Sequence, residues 1–437
     1  CLERFGQRIR SLPQGTVRAV GTNTLRQVKN SHRFLSLAEQ ALGHPIEIIA
    51  GREEARLVYL GVSHGLATSD ERRLVVDIGG GSTELIVGDH FTPRHMESLH
   101  MGCVSMTRKH FQDGIIDEKT MRTAELTGAI EIRPIKNEFR GAGWQAAVGS
   151  SGTIRAIGKV LSEMGWSANR DVIPAEGLEK LRSKLIEVGK IEELEMPGLS
   201  TERRPVFVGG VAVLRAVFKA LNIREMRVSA SALREGLINE MLGRIHHEDV
   251  RESTIRAICK RYSVDMEHAQ RIETTARRLF AQVAQEWKLA GGEYAEMLSW
   301  GARVHEIGLT ISHTQFQKHG AYIIDNSDLP GFSRQEQRVL ATLVRNHRRK
   351  VAMETIEALP DTIINCVLQL CTVLRLAVLL HRSRSSMLQI DAQLTANGNN
   401  LELAFPEGWL DEHPLPHQEL KQEAKKLKTA GFKLKFS

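Results

Sequence analysis

Hydrophobic and polar positions fall into three regimes along the chain. Up to about residue 238, short β-branched apolar runs alternate with longer stretches of helical period, the pattern of an α/β fold. Val17 to Gly21 (VRAVG) and Pro45 to Ala50 (PIEIIA) read as strands, and residues 22–42 between them as one helix with Thr22 to Thr24 as cap candidates. Gly51 is followed by a further helix, Arg52 to Leu66. Leu74 to Gly88, LVVDIGGGSTELIVG, reads as two buried strands joined by a glycine turn. From about 244 to 385 the period is helical almost throughout, with Ile272, Ala276, Leu279, Phe280 and Val283 recurring on one face. Alternating strands then return (LQIDAQLTA and NLELAF), followed by a helix with Lys421, Lys425 and Lys428 on one side.

The glycine turn carries the clearest candidate chemistry. Gly79, Gly80 and Gly81 with Ser82 and Thr83 let backbone N–H groups and hydroxyls approach an anionic oxygen without a side chain in the way. Asp77 ends the first strand and Glu84 lies at the start of the second. Two carboxylates flanking such a turn suit a hard divalent cation that shares its shell with phosphate. The plainer alternative is a glycine hairpin whose carboxylates face solvent. In WQAAVGSSGTIRAIGKVL, Gly149 to Thr153 offer a second small-residue loop at a helix N-terminus, able to wrap a phosphate or nucleotide.

Composition narrows the class. A chain of 437 residues exceeds one ordinary core, and 42% hydrophobic with 25% charged residues is globular. No run is expected to span a bilayer, which takes roughly 18 apolar residues, and the N-terminus lacks the apolar core of a signal peptide. The five cysteines are scattered without metal spacing, which points to a reducing cytoplasm. A net charge of +7 calls for an anionic partner.

Five motifs in order, IIAGREEARLV, VVDIGGGSTEL, MGCVS, VGSSGTI and ALREGL, resemble the exopolyphosphatase/guanosine pentaphosphate phosphohydrolase family over essentially the whole chain, with GGGSTEL and MGCVS closer to the exopolyphosphatase branch. The resemblance implies two α/β domains of the actin, Hsp70 and sugar-kinase type, with ligand between them, then an HD-like helical domain and a small α+β domain. The boundaries expected are 1–57 for a partial first domain, 58–238, 244–385 and 386–437. The family's opening strand and Asp-x-Gly-Ser-Asn-Ser loop has no equivalent here, so the first domain is expected to be N-terminally incomplete.

Roles follow from the resemblance for matched positions. Glu54 corresponds to the family's catalytic base, orienting water for in-line attack on a terminal phosphorus; otherwise it is a solvated first-turn helix glutamate. Glu53 beside it is expected to face solvent. Asp77 and Glu84 match the metal pair for Mg2+, Gly80, Gly81 and Ser82 the phosphate cradle, and Arg26 an arginine that braces phosphate oxygens. Gly149 to Thr153 and Arg234 are expected to border the cleft without chemistry of their own. In the helical domain His268, His305–Glu306, His313, His319 and His347 resemble an HD metal scaffold. Glu306 stands in place of Asp and no final Asp follows, so a relic is expected. Arg345, His347, Arg348, Arg349 and Lys350 form a basic run, either a solvated face or, through Arg348, Arg349 and Lys350, a polyphosphate channel. The expected protein is a cytoplasmic, homodimeric exopolyphosphatase releasing orthophosphate from inorganic polyphosphate, with no DNA or RNA partner and no indicated membrane contact. The alternatives are guanosine pentaphosphate hydrolysis at the same site, or a regulator that binds and does not turn over.

Overall fold

The computed structural model describes residues 1–13, 16–27, 31–66, 71–245, 249–289, 292–384 and 391–437, which form two units, Cys1–Asp249 and Val250–Ser437. The first begins with α1 (Leu2–Ile9), β1 (Ala19–Gly21), α2 (Asn23–Gln27), α3 (Ser31–Leu42), β2 (Ile46–Ile48) and α4 (Gly51–Gly65). Next come the meander β3 (Arg73–Ile78), β4 (Thr83–Asp89) and β5 (Thr92–Leu99), then α5 (Cys103–His110), α6 (Glu118–Ile132) and α7 (Lys136–Ala142). It closes with β6 (Ala146–Ser150), α8 (Ser151–Glu163), β7 (Val172–Pro174), α9 (Ala175–Val188), α10 (Arg204–Leu221), β8 (Glu225–Val228) and α11 (Leu233–Ile245).

β1 and β2 pair in parallel, while the six remaining strands form one sheet in the order β5-β4-β3-β6-β8-β7. β3, β4 and β5 are antiparallel neighbours, and β6 and β8 add in parallel. Because strand side chains alternate faces, Leu74, Val76 and Ile78 enter the large core beneath α8 and α10. Val75, Ile86 and Val148 take the opposite face, where Ala55, Val58, Tyr59 and Val62 of α4 cover them. α4 crosses α11 closely: a Cβ on Gly61 would lie 2.0 Å from the Ala232 carbonyl oxygen, and one on Gly236 1.9 Å from that of Leu57. Only glycine permits that approach.

Three expectations are corrected here. The helix foreseen over 22–42 is two helices, α2 and α3, with residues 28–30 outside the described ones. The boundary expected after residue 57 falls inside α4, whose Leu57 packs on Ile49 and Leu237, so no break sits there. The third concerns length and hydropathy: Asp361–Leu380 has a mean hydropathy of 2.2 over an 18-residue window, long and apolar enough to span a bilayer. That window is 72% buried within its own unit, as a core helix is.

The second unit is helical: α12 (Val250–Arg261), α13 (Met266–Val283), α14 (Gly292–Val304), a 3-10 turn (Ile307–Thr310), α15 (Phe316–Asn326), α16 (Arg334–Asn346), α17 (Met353–Glu357) and α18 (Asp361–Leu380). It ends with β9 (Gln393–Asn397), β10 (Asn400–Ala404), α19 (Trp409–Glu412), α20 (Pro414–Lys428) and β11 (Lys433–Phe436). The two expected strands pair antiparallel, and β11, absent from the sequence reading, joins β10 in parallel. Residues 388–390, the start of the first of those expected strands, lie outside the described ones. Arg375, buried in α18, donates to Glu423 Oε1 at 2.5 Å and to the Asn346 and Arg349 carbonyls, so the most apolar helix of the unit is tied down by a satisfied charge.

Candidate functional site

The site starts from strand register. Asp77 of β3 pairs with Glu84 of β4 on one side and Ser150 of β6 on the other, and Glu84 pairs with Ser98 of β5. Ser98, Glu84, Asp77 and Ser150 therefore stand abreast on the face of the sheet that α4 covers, beside the apolar row of Met96, Ile86, Val75 and Val148. Ser98 Oγ donates to Glu84 Oε1 at 2.8 Å, and Ser150 Oγ donates to Asp77 Oδ1. Glu84 Oε2 is fully buried and has no hydrogen-bond partner among the described residues.

α4 brings the third carboxylate. Glu54 lies in its first turn, where the N-terminal dipole favours an anion. Arg26, on α2, donates through one nitrogen to Glu54 Oε2 at 3.0 Å and to the Ile49 carbonyl at 2.9 Å. Both candidate residues thus meet, and Arg26 is half-buried in an ion pair with Glu54 rather than an exposed helix arginine.

Glu53 is corrected: it is buried, not solvent-facing. Arg56 donates to both of its oxygens, at 2.9 and 2.7 Å, and also to Glu240 of α11. Arg18 closes the chain of charges onto Glu240 at 3.2 Å and Glu47 at 3.0 Å.

The electrostatics are those of a site short of positive charge. Burial raises Glu54, with Asp77 pushing the same way and Arg26 opposing. Burial also raises Asp77, against the Ser150 hydroxyl. Glu84 is raised furthest, by burial and then by the charges of Glu54 and Asp77. Unfolded carboxyls titrate near about 4, so from there to the raised folded values the native chain holds more protons than the unfolded one. Stability then falls as pH rises through that window. Glu84→Gln should accordingly melt several degrees higher than the parent at neutral pH without divalent cations, at roughly 2–4 °C per kcal/mol. The difference should shrink toward pH 4, and equal melting at both pH values would show that Glu84 carries no charge strain.

The glycine turn closes the end of this row. The amides of Cys103 and Val104 at the start of α5 donate to the carbonyls of Gly79 and Gly80, at 2.9 Å each. Gly102 lies so close that a Cβ there would sit 2.5 Å from the Gly80 carbonyl carbon and 2.6 Å from the Gly81 nitrogen. The carbonyls are thus used by α5, whereas the amides of Gly80 and Gly81 have no acceptor among the described residues. Ser82, also in the turn, is buried, and Asn23 Oδ1 stands over Gly81. Beside Ser150, Ser151 holds φ of 96°, a conformation costly for a side chain and found most at functional sites. The Arg203 guanidinium lies over Gly152 at the N-terminus of α8.

Other candidates stand elsewhere. Arg234 is exposed on α11, with Glu235 3.9 Å away. Arg348, Arg349 and Lys350 belong to the second unit, with Arg348 over the Phe316 ring at 4.4 Å. Sequence reasoning missed Ser98 and left Ser150 without a role. Counting pairs outward from the hairpin turn finds Ser150's partner only once β6 is known to lie beside β3, a connection of more than fifty residues.

A family model described as the Ppx/GppA phosphatase family matches residues 1–245, and one described as Ppx/GppA phosphatase, domain III, matches 250–424. A guanosine-5'-triphosphate,3'-diphosphate pyrophosphatase of Aeromonas hydrophila is 38% identical over 432 residues, 99% of this chain and 86% of that protein. Among solved structures, the Aquifex aeolicus PPX-GPPA enzyme is 24% identical over 54% of this chain and 79% of its own, with a TM-score of 0.46. An exopolyphosphatase from Cytophaga hutchinsonii is 22% identical over 55% and 79%, with a TM-score of 0.49.

Proposed function

The chain belongs to the Ppx/GppA phosphatase family of hydrolases, and from that premise we propose that its carboxylate cluster removes the terminal phosphate of guanosine pentaphosphate by water attack. The observation that carries the reading is the convergence of Glu54 and Glu84, both buried, with the half-buried Asp77, beside a turn with free glycine amides. The guanosine substrate is preferred because the relative at 38% identity is named for it. The expected exopolyphosphatase preference is kept as the second reading.

In this scheme the Gly80 and Gly81 amides and the Ser82 hydroxyl receive the terminal phosphate oxygens, a cradle of fixed dipoles that need no reorganisation. Glu54 takes the proton of the attacking water, and Arg26 holds its carboxylate in place. An all-oxygen donor set with one buried, unpartnered carboxylate oxygen fits a hard cation. Asp77 and Glu84 would hold Mg2+, which when bound supplies positive charge to phosphate oxygens. Asp77→Asn and Glu84→Gln should each raise the Mg2+ needed for half-maximal turnover by about tenfold or more, a loss on the order of 1.4 kcal/mol in cation affinity. An unmoved titration in both variants would remove the pair from metal binding.

The testing experiment is phosphate release from guanosine pentaphosphate and from inorganic polyphosphate side by side, with Mg2+ and with chelator. A higher kcat/KM on the guanosine substrate is expected; release from neither with Mg2+ present would sink the hydrolase reading of the site. Polyphosphate is favoured by a separate observation, the cationic cavity lined by Lys318, Arg345, Arg348, Arg349 and Lys350. Under that reading, replacing Arg348, Arg349 and Lys350 by Ala raises KM severalfold for long chains, increasingly at low salt, and leaves very short chains nearly unaffected. Equal loss on both lengths would assign the three residues to folding instead.

A further inference from the structure

Three histidines and a glutamate of the second unit converge where its helices end. His268 lies in the first turn of α13, His305 and Glu306 follow α14, and His347 follows α16. They line a cavity of about 330 Å³ together with Arg348, Arg382 and Arg384. One donor atom each from His268, His305 and Glu306 lie within 4.8 Å of one another, with His305 Nε2 3.9 Å from Glu306 Oε1.

The hydrogen bonds around the rings decide what those atoms offer. His305 Nδ1 contacts the Ala302 carbonyl at 2.7 Å and His347 Nδ1 the Val344 carbonyl at 2.7 Å. A carbonyl only accepts, so in both rings the proton sits on Nδ1 and the lone pair on Nε2. That arrangement, one nitrogen tied to backbone and the other free, is how ligating histidines are oriented. His268 Nδ1 and His347 Nε2 are buried and have no partner among the described residues, an unmet cost of about 1–3 kcal/mol each in a closed protein. Glu306 is gripped from behind by Arg384, which donates to both of its oxygens at 2.6 Å, and each oxygen retains a lone pair.

Donor atoms around a tetrahedral ion with bonds of about 2.0–2.1 Å stand roughly 3.3 Å apart. The cluster therefore needs side-chain movements on the order of 1 Å. Arg382 is balanced by Glu419, and Arg384 by Asp265 and Glu306, whereas Arg348 has no carboxylate partner among the described residues, so it is Arg348 that favours an oxyanion in the open coordination position.

We propose that the second unit binds one divalent transition-metal ion on His268, His305 and Glu306, with an inorganic oxyanion such as phosphate as its exchangeable ligand against Arg348. The mixed imidazole and carboxylate donors favour ions of the zinc and cobalt class over Mg2+. This site is distinct from the carboxylate cluster of the first unit and does not depend on the substrate read for it. It departs from the expectation of a relic: Glu306, one carbon longer than aspartate, stands with its Oε1 3.9 Å from His305 Nε2.

The test uses the full chain, stripped with chelator and loaded with cobalt in the presence and absence of inorganic phosphate. Bound cobalt should give visible d–d bands and far-shifted, exchangeable imidazole N–H proton resonances. The carboxylate cluster has no histidine, so those resonances cannot come from it, and they need no variant that might fail to fold. His268→Ala should remove one of them and weaken cobalt binding by at least about tenfold. Phosphate should tighten cobalt binding and shift the d–d bands. Cobalt binding without shifted imidazole signals, or signals unchanged in His268→Ala, would overturn the proposal. So would phosphate binding equally tightly without metal and abolished by Arg348→Ala, which would make the cavity an anion pocket only.

Discussion

Glu54→Gln should fold as the parent does and lower kcat on the preferred substrate by about 10²–10⁴-fold, the usual contribution of a positioned base. The amide can still accept a hydrogen bond from Arg26, so the α2–α4 contact is kept. It cannot take a proton from water. Burial and the neighbouring Asp77 hold Glu54 above the ordinary carboxylate range, so the acidic limb of the parent's kcat/KM should lie at higher pH than a free glutamate would give. In the variant that limb should flatten. Turnover within threefold of the parent, with the limb unchanged, would assign the proton transfer to another group.

The other large effect concerns folding. Glu240→Ala removes the α11 carboxylate that Arg56 and Arg18 share, both of them buried. Breaking such a network by one member costs about 3–5 kcal/mol, because the remaining charges stay desolvated. At roughly 2–4 °C per kcal/mol the first unit should melt roughly 6–20 °C lower. Arg56→Met with Glu240→Leu should cost much less than either single change, since no buried charge is then left alone. A single-variant loss below about 1 kcal/mol would show that water reaches these groups. The link to function is direct: Glu53, which Arg56 holds, precedes Glu54 on the same helical turn.

Legibility in the sequence followed the distance over which each feature is encoded. β3, the glycine turn and β4 are local, so the order of residues along one hairpin is enough to place Asp77 and Glu84 opposite each other. The same holds for α10, α11 and the helical second unit, whose apolar periods are long. Glu53 was misread because Arg56, which grips it, is itself anchored on Glu240, 184 residues further along the chain, and a charge has no local signature of so distant a tie. Ser150 needed the parallel β3–β6 pairing, and Ser98 the β4–β5 pairing, to acquire meaning. α18 was underestimated for a related reason: Asn365, Gln369 and Arg375 interrupt its apolar run on paper, while in the fold Gln369 and Arg375 are as buried as their neighbours.

The abreast placement of Ser98, Glu84, Asp77 and Ser150 gives the site a phase, like meshed gear teeth. Four residues, Gly79 to Ser82, separate the paired Ile78 and Thr83, and that count sets which tooth of β4 meets Asp77. One step either way would present Thr83 or Leu85 to the site and turn Glu84 into the apolar core on the other face. Changes of side-chain bulk leave this phase alone; a residue added to the turn does not. The irregularity in β4–β5 pairing falls between Val87 and Gly88, beyond Glu84 from the turn. Slack in the meander is taken up there, on the side where nothing has to stay in step.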